Sequence, residues 1–514
     1  MNKPAVETAM PFTVLQSLRE LARQDPQRPL LFGSGEPWSA LGLFANVESL
    51  AQQLRSSGAV VVASRMDNSP AWVAMDLACI EAGVVHVPIP PFFSPRQIEH
   101  ALSDAGVTHV FSDRPSTDAE ETDLAGLWLQ RIKQGGKRSR GTIAKLTYTS
   151  GSTAEPKAVR LGLQGMERVA ASLLDACAMT ANDRHVVLMP LAVLLENIAG
   201  IYTPLLSGAS IVIPSLAEVG LGGPSGIDGA RMIKTLSEHQ ATTAITTPHT
   251  LMAMLDALEA GAKRPELLRF LAVGGAPISP AVIQRALDLG LPVFQGYGLS
   301  ECNSVLTLNT AGHNRLGSVG RPLGHASVKI ADNGEILAAG ALFLGYGDES
   351  ANTDTDTKTQ VWYHTGDLGR LDADGYLWIT GRLKHAYATA EGRNVSPEWV
   401  ERELCAQPGI AQAAVFGEAR PSNCALIFAH PNADVGADAD AVKLAIERVN
   451  AELPAYARVG HYLVLDEPFS VNNGQLTGTG RPRRAAIEAA YAEAIESFYS
   501  PANHLREQPI HDTL

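Results

Sequence analysis

Residues 146–161, LTYTSGSTAEPKAVRL, run from an apolar stretch through a cluster of small hydroxyl and glycine residues and back to an apolar stretch after a lysine. Leu146, Tyr148 and their neighbours read as a strand. Thr149, Ser150, Ser152 and Thr153 then offer four hydroxyls, and Gly151 leaves backbone N–H groups open to close approach. Lys157 adds a mobile positive charge. The combination suits a polyphosphate, although an ordinary Ser/Thr/Gly connection has the same composition. The glycine spacing of a P-loop before Gly-Lys-Ser/Thr is missing, which disfavours a P-loop NTPase.

Outward from this stretch the chain alternates. Residues 12–24 and 47–54 carry apolar positions at helical spacing. Residues 59–63, with Val60, Val61 and Val62, read as a strand, 71–82 as a helix, and 84–89 as a strand closed by Pro90 and Pro91, which together describe a parallel βαβ unit. A helix at 94–105 and a strand at 108–111 continue the pattern, and the polar run 113–137 reads as a variable connection. Downstream, helices are expected at 164–178, 231–239, 251–260 and 280–289, with strands at 184–189, 210–214, 244–247, 270–273 and 292–295 and a glycine-rich loop at 220–229. Such alternation predicts two doubly wound α/β subdomains, with ligands beyond the carboxyl ends of the strands. Short strands at 327–330, 335–338 and 376–380 predict a small β-barrel, and 386–499 a smaller α+β domain.

A chain of 514 residues exceeds one hydrophobic core. The net charge of -13 and the lack of a long basic block argue against a nucleic-acid partner. Two short basic clusters stand out as places for anions: Lys137, Arg138 and Arg140, then Arg481, Arg483 and Arg484. Five scattered cysteines without CxxC spacing fit a reduced, cytoplasmic setting with neither a disulfide framework nor a zinc site. The first residues contain no signal-peptide core, and no apolar run is long enough to span a membrane.

TSGSTAEPKAV resembles the TSGSTGxPKGV signature of the acyl-adenylate-forming superfamily, with Ala154 and Ala158 in two glycine positions. FQGYGLSE at 294–301 is similar to the YGxTE element, GGAP at 274–277 to the adenine-contacting turn, and YHTGDLGRL at 363–371 to the YxTGD element of the same superfamily. The resemblance covers nearly the whole chain and leans toward long-chain fatty acyl-CoA synthetases through GSVGRPL at 317–323, GRLKHAYATAEGRNVSPEWVE from Gly381 and NGQLTGTGRPRR at 473–484. It implies ATP, Mg²⁺ and coenzyme A as cofactors, with a carboxylic acid as substrate and fatty acids among the candidate classes.

The implied roles follow the motifs. Thr149, Ser150, Gly151, Ser152, Thr153 and Lys157 would hold phosphates; Gly274, Gly275, Ala276, Pro277, Gly296, Tyr297 and Gly298 would surround adenine. Ser300 would contact the α-phosphate and Glu301 hold Mg²⁺, as suits a hard cation. Asp367 and Arg382 would grip the ribose, and Gly392 would leave room for the pantetheine arm. Residues 1–382 would form the adenylate-forming domain, 383–500 a mobile cap and 501–514 a tail.

Two departures bear on mechanism. His385 occupies the family's hinge position, where the charge of an imidazole depends on pH. Arg481 aligns with the lysine that serves adenylation, and a planar guanidinium fork is no conservative replacement for an ammonium. Three readings stay open: a CoA ligase; a ligase passing the acyl group to a carrier protein, an amine or a hydroxyl; and an impaired protein that only binds the nucleotide or adenylate. Residues 190–200, PLAVLLENIAG, read equally as the wall of an acyl pocket, with Val193 where the long-chain enzymes commonly have histidine, and as a core helix start with one buried acid, Glu196. A homodimer is also left open.

Overall fold

The computed structural model describes residues 13–116, 118–124, 126–132, 142–149, 156–223, 226–347, 361–429, 439–470, 473–476 and 482–499. The chain divides into two compact units: Met1–Gly275 with Arg285–Val328 and Ala338–Tyr363, and Ala276–Gln284 with Lys329–Leu337 and His364–Leu514.

The first unit contains two sheets. In one, Val61–Arg65, Val85–Pro88, His109–Ser112 and Ile143–Thr149 run parallel. The crossover helix Pro70–Ala82 starts where the Ser69 side chain accepts from the Trp72 N–H and stops at left-handed Gly83. Trp72 through Cys79 are all buried, because this helix is covered on every side. The described part of the polar 113–137 run, read as a variable connection, contains strands. Ala119–Glu121 and Trp128–Arg131 add two antiparallel strands at the edge, with Leu127 and Leu129 buried beneath them. Two leucines around Trp128 suffice to anchor an edge strand and are too few to show a period.

The second sheet has nine strands in the order Arg321–Pro322, Ser304–Leu308, Val293–Leu299, Phe270–Val273, Thr243–Thr246, Arg184–Val186, Ser210–Val212, Pro29–Phe32 and Trp38–Ser39. Its centre is parallel and both ends are antiparallel. The expected glycine loop carries a small hairpin of Leu221–Gly223 with Gly226–Ile227. The two doubly wound α/β subdomains are thus present, as read from the sequence.

The segment read as a small barrel supplies a four-stranded sheet of Ala326–Ile330, Glu335–Gly340, Tyr363–Leu371 and Leu377–Arg382. Beyond it lies the α+β part of the second unit, a three-stranded sheet of Ile410–Phe416, Asn423–Ala429 and Val459–Leu465. Helix Pro397–Cys405 lies against this sheet, with Val400 and Leu404 in a core shared with Ile410, Val415 and Ile446. Among the described residues no helix is long and apolar enough to cross a membrane.

Candidate active site

Strands Ile143–Thr149 and Lys157–Gly162 pair antiparallel, with Thr149 opposite Lys157. The hydroxyl-rich stretch is therefore the connection of a hairpin. Ser150, Gly151, Ser152 and Thr153 lie outside the described residues, as does Arg481. Both flanks of the connection are held by helix Pro95–Asp104. The Tyr148 hydroxyl donates to Asp104 Oδ2 at 2.7 Å, and His100 Nε2 donates to the Pro156 carbonyl at 3.1 Å.

Glu301 sits on a tight reversal at the end of strand Val293–Leu299. After one 3₁₀ turn, Ser300–Cys302, the chain turns back through Asn303 and Ser304 at φ 53° and 100°. Ser304–Leu308 returns so closely that a Cβ at Gly298 would lie 1.7 Å from the Ser304 carbonyl oxygen, which explains a glycine there. Gly296, Tyr297, Gly298, Ser300 and Glu301 are all half-buried along this edge. Gly274 lies alongside, since its Cβ would stand 3.5 Å from the Gly296 carbonyl oxygen, and Gly275 takes a left-handed φ of 88°. Ala276 and Pro277 belong to the second unit.

A residue the motifs did not mark organises this corner. The Tyr346 hydroxyl donates to Glu301 Oε1 at 2.6 Å and lies 3.1 Å from the Tyr363 hydroxyl. Burial, then the neighbouring Glu301 carboxylate, raises its pKa well above the ordinary tyrosine value, so the phenol stays a donor. Phe343 stands edge-on to both tyrosine rings, and its N–H donates to the Glu301 carbonyl at 2.8 Å. Next to it the Leu344 N–H donates to the Arg160 carbonyl and the Gly347 N–H to the Ala158 carbonyl, tying this segment to the strand that begins at Lys157. The Lys157 ammonium lies 5.8 Å from the Tyr346 ring centroid. Lys157 and Glu301 therefore meet at one aromatic ring. The available signal was a repeat, since Gly-Tyr-Gly occurs at 296–298 and again at 345–347.

In the second unit, Asp367 and Arg382 face each other across a hairpin, and Arg382 Nε lies 2.7 Å from Asp367 Oδ1. Asp367 is 5% exposed, whereas the Arg382 side chain keeps 37% of its surface open. His385 Nδ1 bonds Glu398 Oε1. Burial would raise the Glu398 pKa, but the His385 hydrogen bond and the Arg484 charge outweigh it and lower the value. Gly392 is exposed in the turn between Tyr387–Ala388 and Asn394–Val395, at a left-handed φ of 72° that itself calls for glycine.

The second basic cluster needs correction. Arg484 bonds the buried Glu401 at 2.5 Å, donates to the Val415 carbonyl and lies over the Phe416 ring. It fastens helix Arg484–Ala490 to the core instead of meeting an anion at the surface. Lys137, Arg138 and Arg140 lie outside the described residues. Within residues 190–200, Glu196 is fully buried and 3.0 Å from His185 Nε2, as the core reading expects, while Val193 is half-buried.

The AMP-binding enzyme family matches residues 18–346, and the AMP-binding enzyme C-terminal domain matches 386–503. The chain belongs to the AMP-binding enzyme family. Among its relatives, the long-chain-fatty-acid–CoA ligase FadD15 of Mycobacterium bovis is 26% identical, over 90% of each chain. The anthranilate CoA ligase AuaEII, solved with anthranoyl-AMP, superposes with a TM-score of 0.78 at 19% identity, over 96% of this chain and 100% of the other. The o-succinylbenzoate coenzyme A synthetase of Bacillus subtilis, solved with ATP and magnesium ion, gives 0.71 at 21% identity, over 91% and 98%. At such identities the two structures speak for the fold.

Proposed function

We propose that this AMP-binding enzyme activates a carboxylic acid with Mg·ATP and passes the acyl group to coenzyme A, a fatty acid being the leading class of substrate. The carboxylate attacks the α-phosphorus, pyrophosphate leaves, and the thiol of coenzyme A then displaces AMP from the mixed anhydride. The observation that carries the reading is the meeting of Lys157 and Glu301 at the Tyr346 ring, which joins the flank of the hydroxyl-rich hairpin to the acidic turn. The FadD15 likeness supports the acid class.

Glu301 fits a magnesium ion. It is a hard oxygen donor held by a neutral phenol, and among the described residues no three His, Cys, Asp or Glu form a metal cage. Mg²⁺ in such sites takes one or two carboxylates and completes its shell with phosphate oxygens and water. When bound, the ion offsets charge on the phosphates. In the first unit Lys157 and the hairpin from Thr149 would neutralise phosphates, Ser300 would orient the α-phosphate and Tyr297 would cover the base; in the second, the ribose role falls to Asp367 with Arg382. We assign the adenylating domain to 1–382 and the mobile cap to 383–500, a boundary that falls between the family matches ending at 346 and resuming at 386 and differs from the compact-unit division at Tyr363.

Release of pyrophosphate across a panel of carboxylic acids tests the reading. Glu301→Gln should cut that release by about 100-fold or more with the preferred acid. Unchanged release would remove Glu301 from the site. Ala154, Ala158, His385 and Arg481 motivate the impaired-binder reading. Ala158, however, sits buried in a regular strand opposite Tyr148, where alanine is well accommodated. Carboxylate-dependent ATP–pyrophosphate exchange separates the two readings, and product masses with and without coenzyme A identify the acceptor.

A further inference from the structure

Six of the polar side chains buried in the first unit join in one network that takes no part in the chemistry above. Ser64, Asp76, His86, Lys145, Asn197 and Tyr202 are each at most 2% exposed. Asp76 Oδ1 accepts from His86 Nδ1 at 2.5 Å and Lys145 Nζ at 2.8 Å; Oδ2 accepts from Asn197 Nδ2 at 3.0 Å and the Tyr202 hydroxyl at 2.8 Å. Lys145 also donates to Asn197 Oδ1 and, at 3.2 Å, to the Tyr202 hydroxyl. All three ammonium protons are thereby used. His86 Nε2 completes the chain at Ser64 Oγ, 2.8 Å away.

Two features show that the network sets position. In an α-helix, residues five apart point about 140° from each other. Asn197 and Tyr202 reach the same carboxylate oxygen because Ile198–Tyr202 is a π-helical turn, whose wider winding returns them to one face. The second feature is register. Strand Ile143–Thr149 pairs in parallel with Val85–Pro88 at one position among the described residues, His86 opposite Lys145. Both members of that pair belong to the network. By strand alternation Lys145, Thr147 and Thr149 share a face, so the anchored lysine and the first hydroxyl of the hairpin connection lie on one rigid column.

We propose that Lys145 is a positioning residue for the triphosphate. Held by Asp76, Asn197 and Tyr202, it fixes the strand lengthwise and so sets where Thr149 presents its hydroxyl. This role rests on the activation reading above. It predicts a split between ligands, because a shifted strand end disturbs triphosphate contacts and spares those to base and ribose.

The test is calorimetric titration of the full chain with Mg·α,β-methylene-ATP and, separately, with AMP. Lys145→Met should weaken the triphosphate analogue by about tenfold or more and AMP by under about threefold. The single variant leaves Asp76 unpaired, so the double variant Asp76→Asn/Lys145→Met is measured alongside. It should recover most of the melting temperature lost by Lys145→Met while keeping the weak triphosphate binding. A double variant that regains both, or one that loses AMP and the analogue alike, overturns the proposal. Wild-type protein that binds neither nucleotide overturns the activation reading itself and this role with it.

Discussion

Asp76 and Asp367 are both buried carboxylates with a basic nitrogen 2.8 and 2.7 Å away, yet their surroundings differ in one respect. The base beside Asp76 is Lys145, 1% exposed and fully bonded; the base beside Asp367 is Arg382, whose side chain is 37% exposed. Burial opposes ionisation of Asp76, and the charge of Lys145 with the His86 hydrogen bond reverses this, so its pKa falls below the usual carboxylate range. A closed pair has nothing to offer a ligand. A pair whose cation opens to solvent can pass hydrogen bonds to an incoming sugar or phosphate. Accessibility of the base, more than burial of the acid, separates a pair that holds the fold from one that can hold a substrate.

The sharpest way to break this distinction is to remove each pair. Lys145→Met strands a buried carboxylate and should cost about 3–5 kcal/mol in urea unfolding. Asp367→Asn should cost under about 2 kcal/mol while lowering acyl-AMP formation by about 10–100-fold. Equal losses of stability would erase the contrast.

A buried base with a cation for a neighbour makes the next test. His325 is 6% exposed, and burial, then the charge of Arg168, pushes its pKa from 6.5 down to about 4. The folded chain keeps this ring neutral where the unfolded chain takes up a proton, so stability is complete above pH 6.5 and declines as pH falls toward 4. The full decline is about 3 kcal/mol. Unfolding of wild type and His325→Phe at several pH values between these limits should show a shallower decline for the variant. Parallel curves would mean that the ring does not titrate differently on unfolding.

The local code of the first unit was readable because its signals are local. Val60–Val62 announce a strand, and the helix read at 71–82 is found at Pro70–Ala82, opened by Ser69 and ended by Gly83. Glu301 was readable through its motif, and its geometry follows from Gly298 and the left-handed pair Asn303 and Ser304. Lys145 was not. In sequence it is an unremarkable polar position in an alternating strand; what buries it is Asp76 and Tyr202, each more than fifty residues away along the chain. Arg484 misled for the same reason, since its acid, Glu401, is equally remote. Tyr346 sits between glycines with no periodic pattern, and beyond the repeated Gly-Tyr-Gly its role emerges when strand Lys157–Gly162 and the Glu301 turn are brought to it.

Tyr346 gives the finest test, because Glu301 lies between the two extremes above: a half-buried acid whose described donor is a neutral hydroxyl. Tyr346→Phe keeps the ring that faces Lys157 and Phe343 and deletes the 2.6 Å bond to Glu301 together with the 3.1 Å contact to the Tyr363 hydroxyl. One such bond contributes about 0.5–1.5 kcal/mol net, and about 1.5–3 kcal/mol when its acceptor is charged. Glu301 is exposed enough for water to step in, so pyrophosphate release should fall only several-fold, with the Mg²⁺ concentration needed for half-maximal rate shifted upward. Tyr346→Leu, which also removes the face toward Lys157, should cost more. If the phenylalanine variant matches wild type in both rate and Mg²⁺ dependence, the carboxylate is aimed by its backbone alone: the 3₁₀ turn and the left-handed residues behind it would suffice, and the phenol would serve packing.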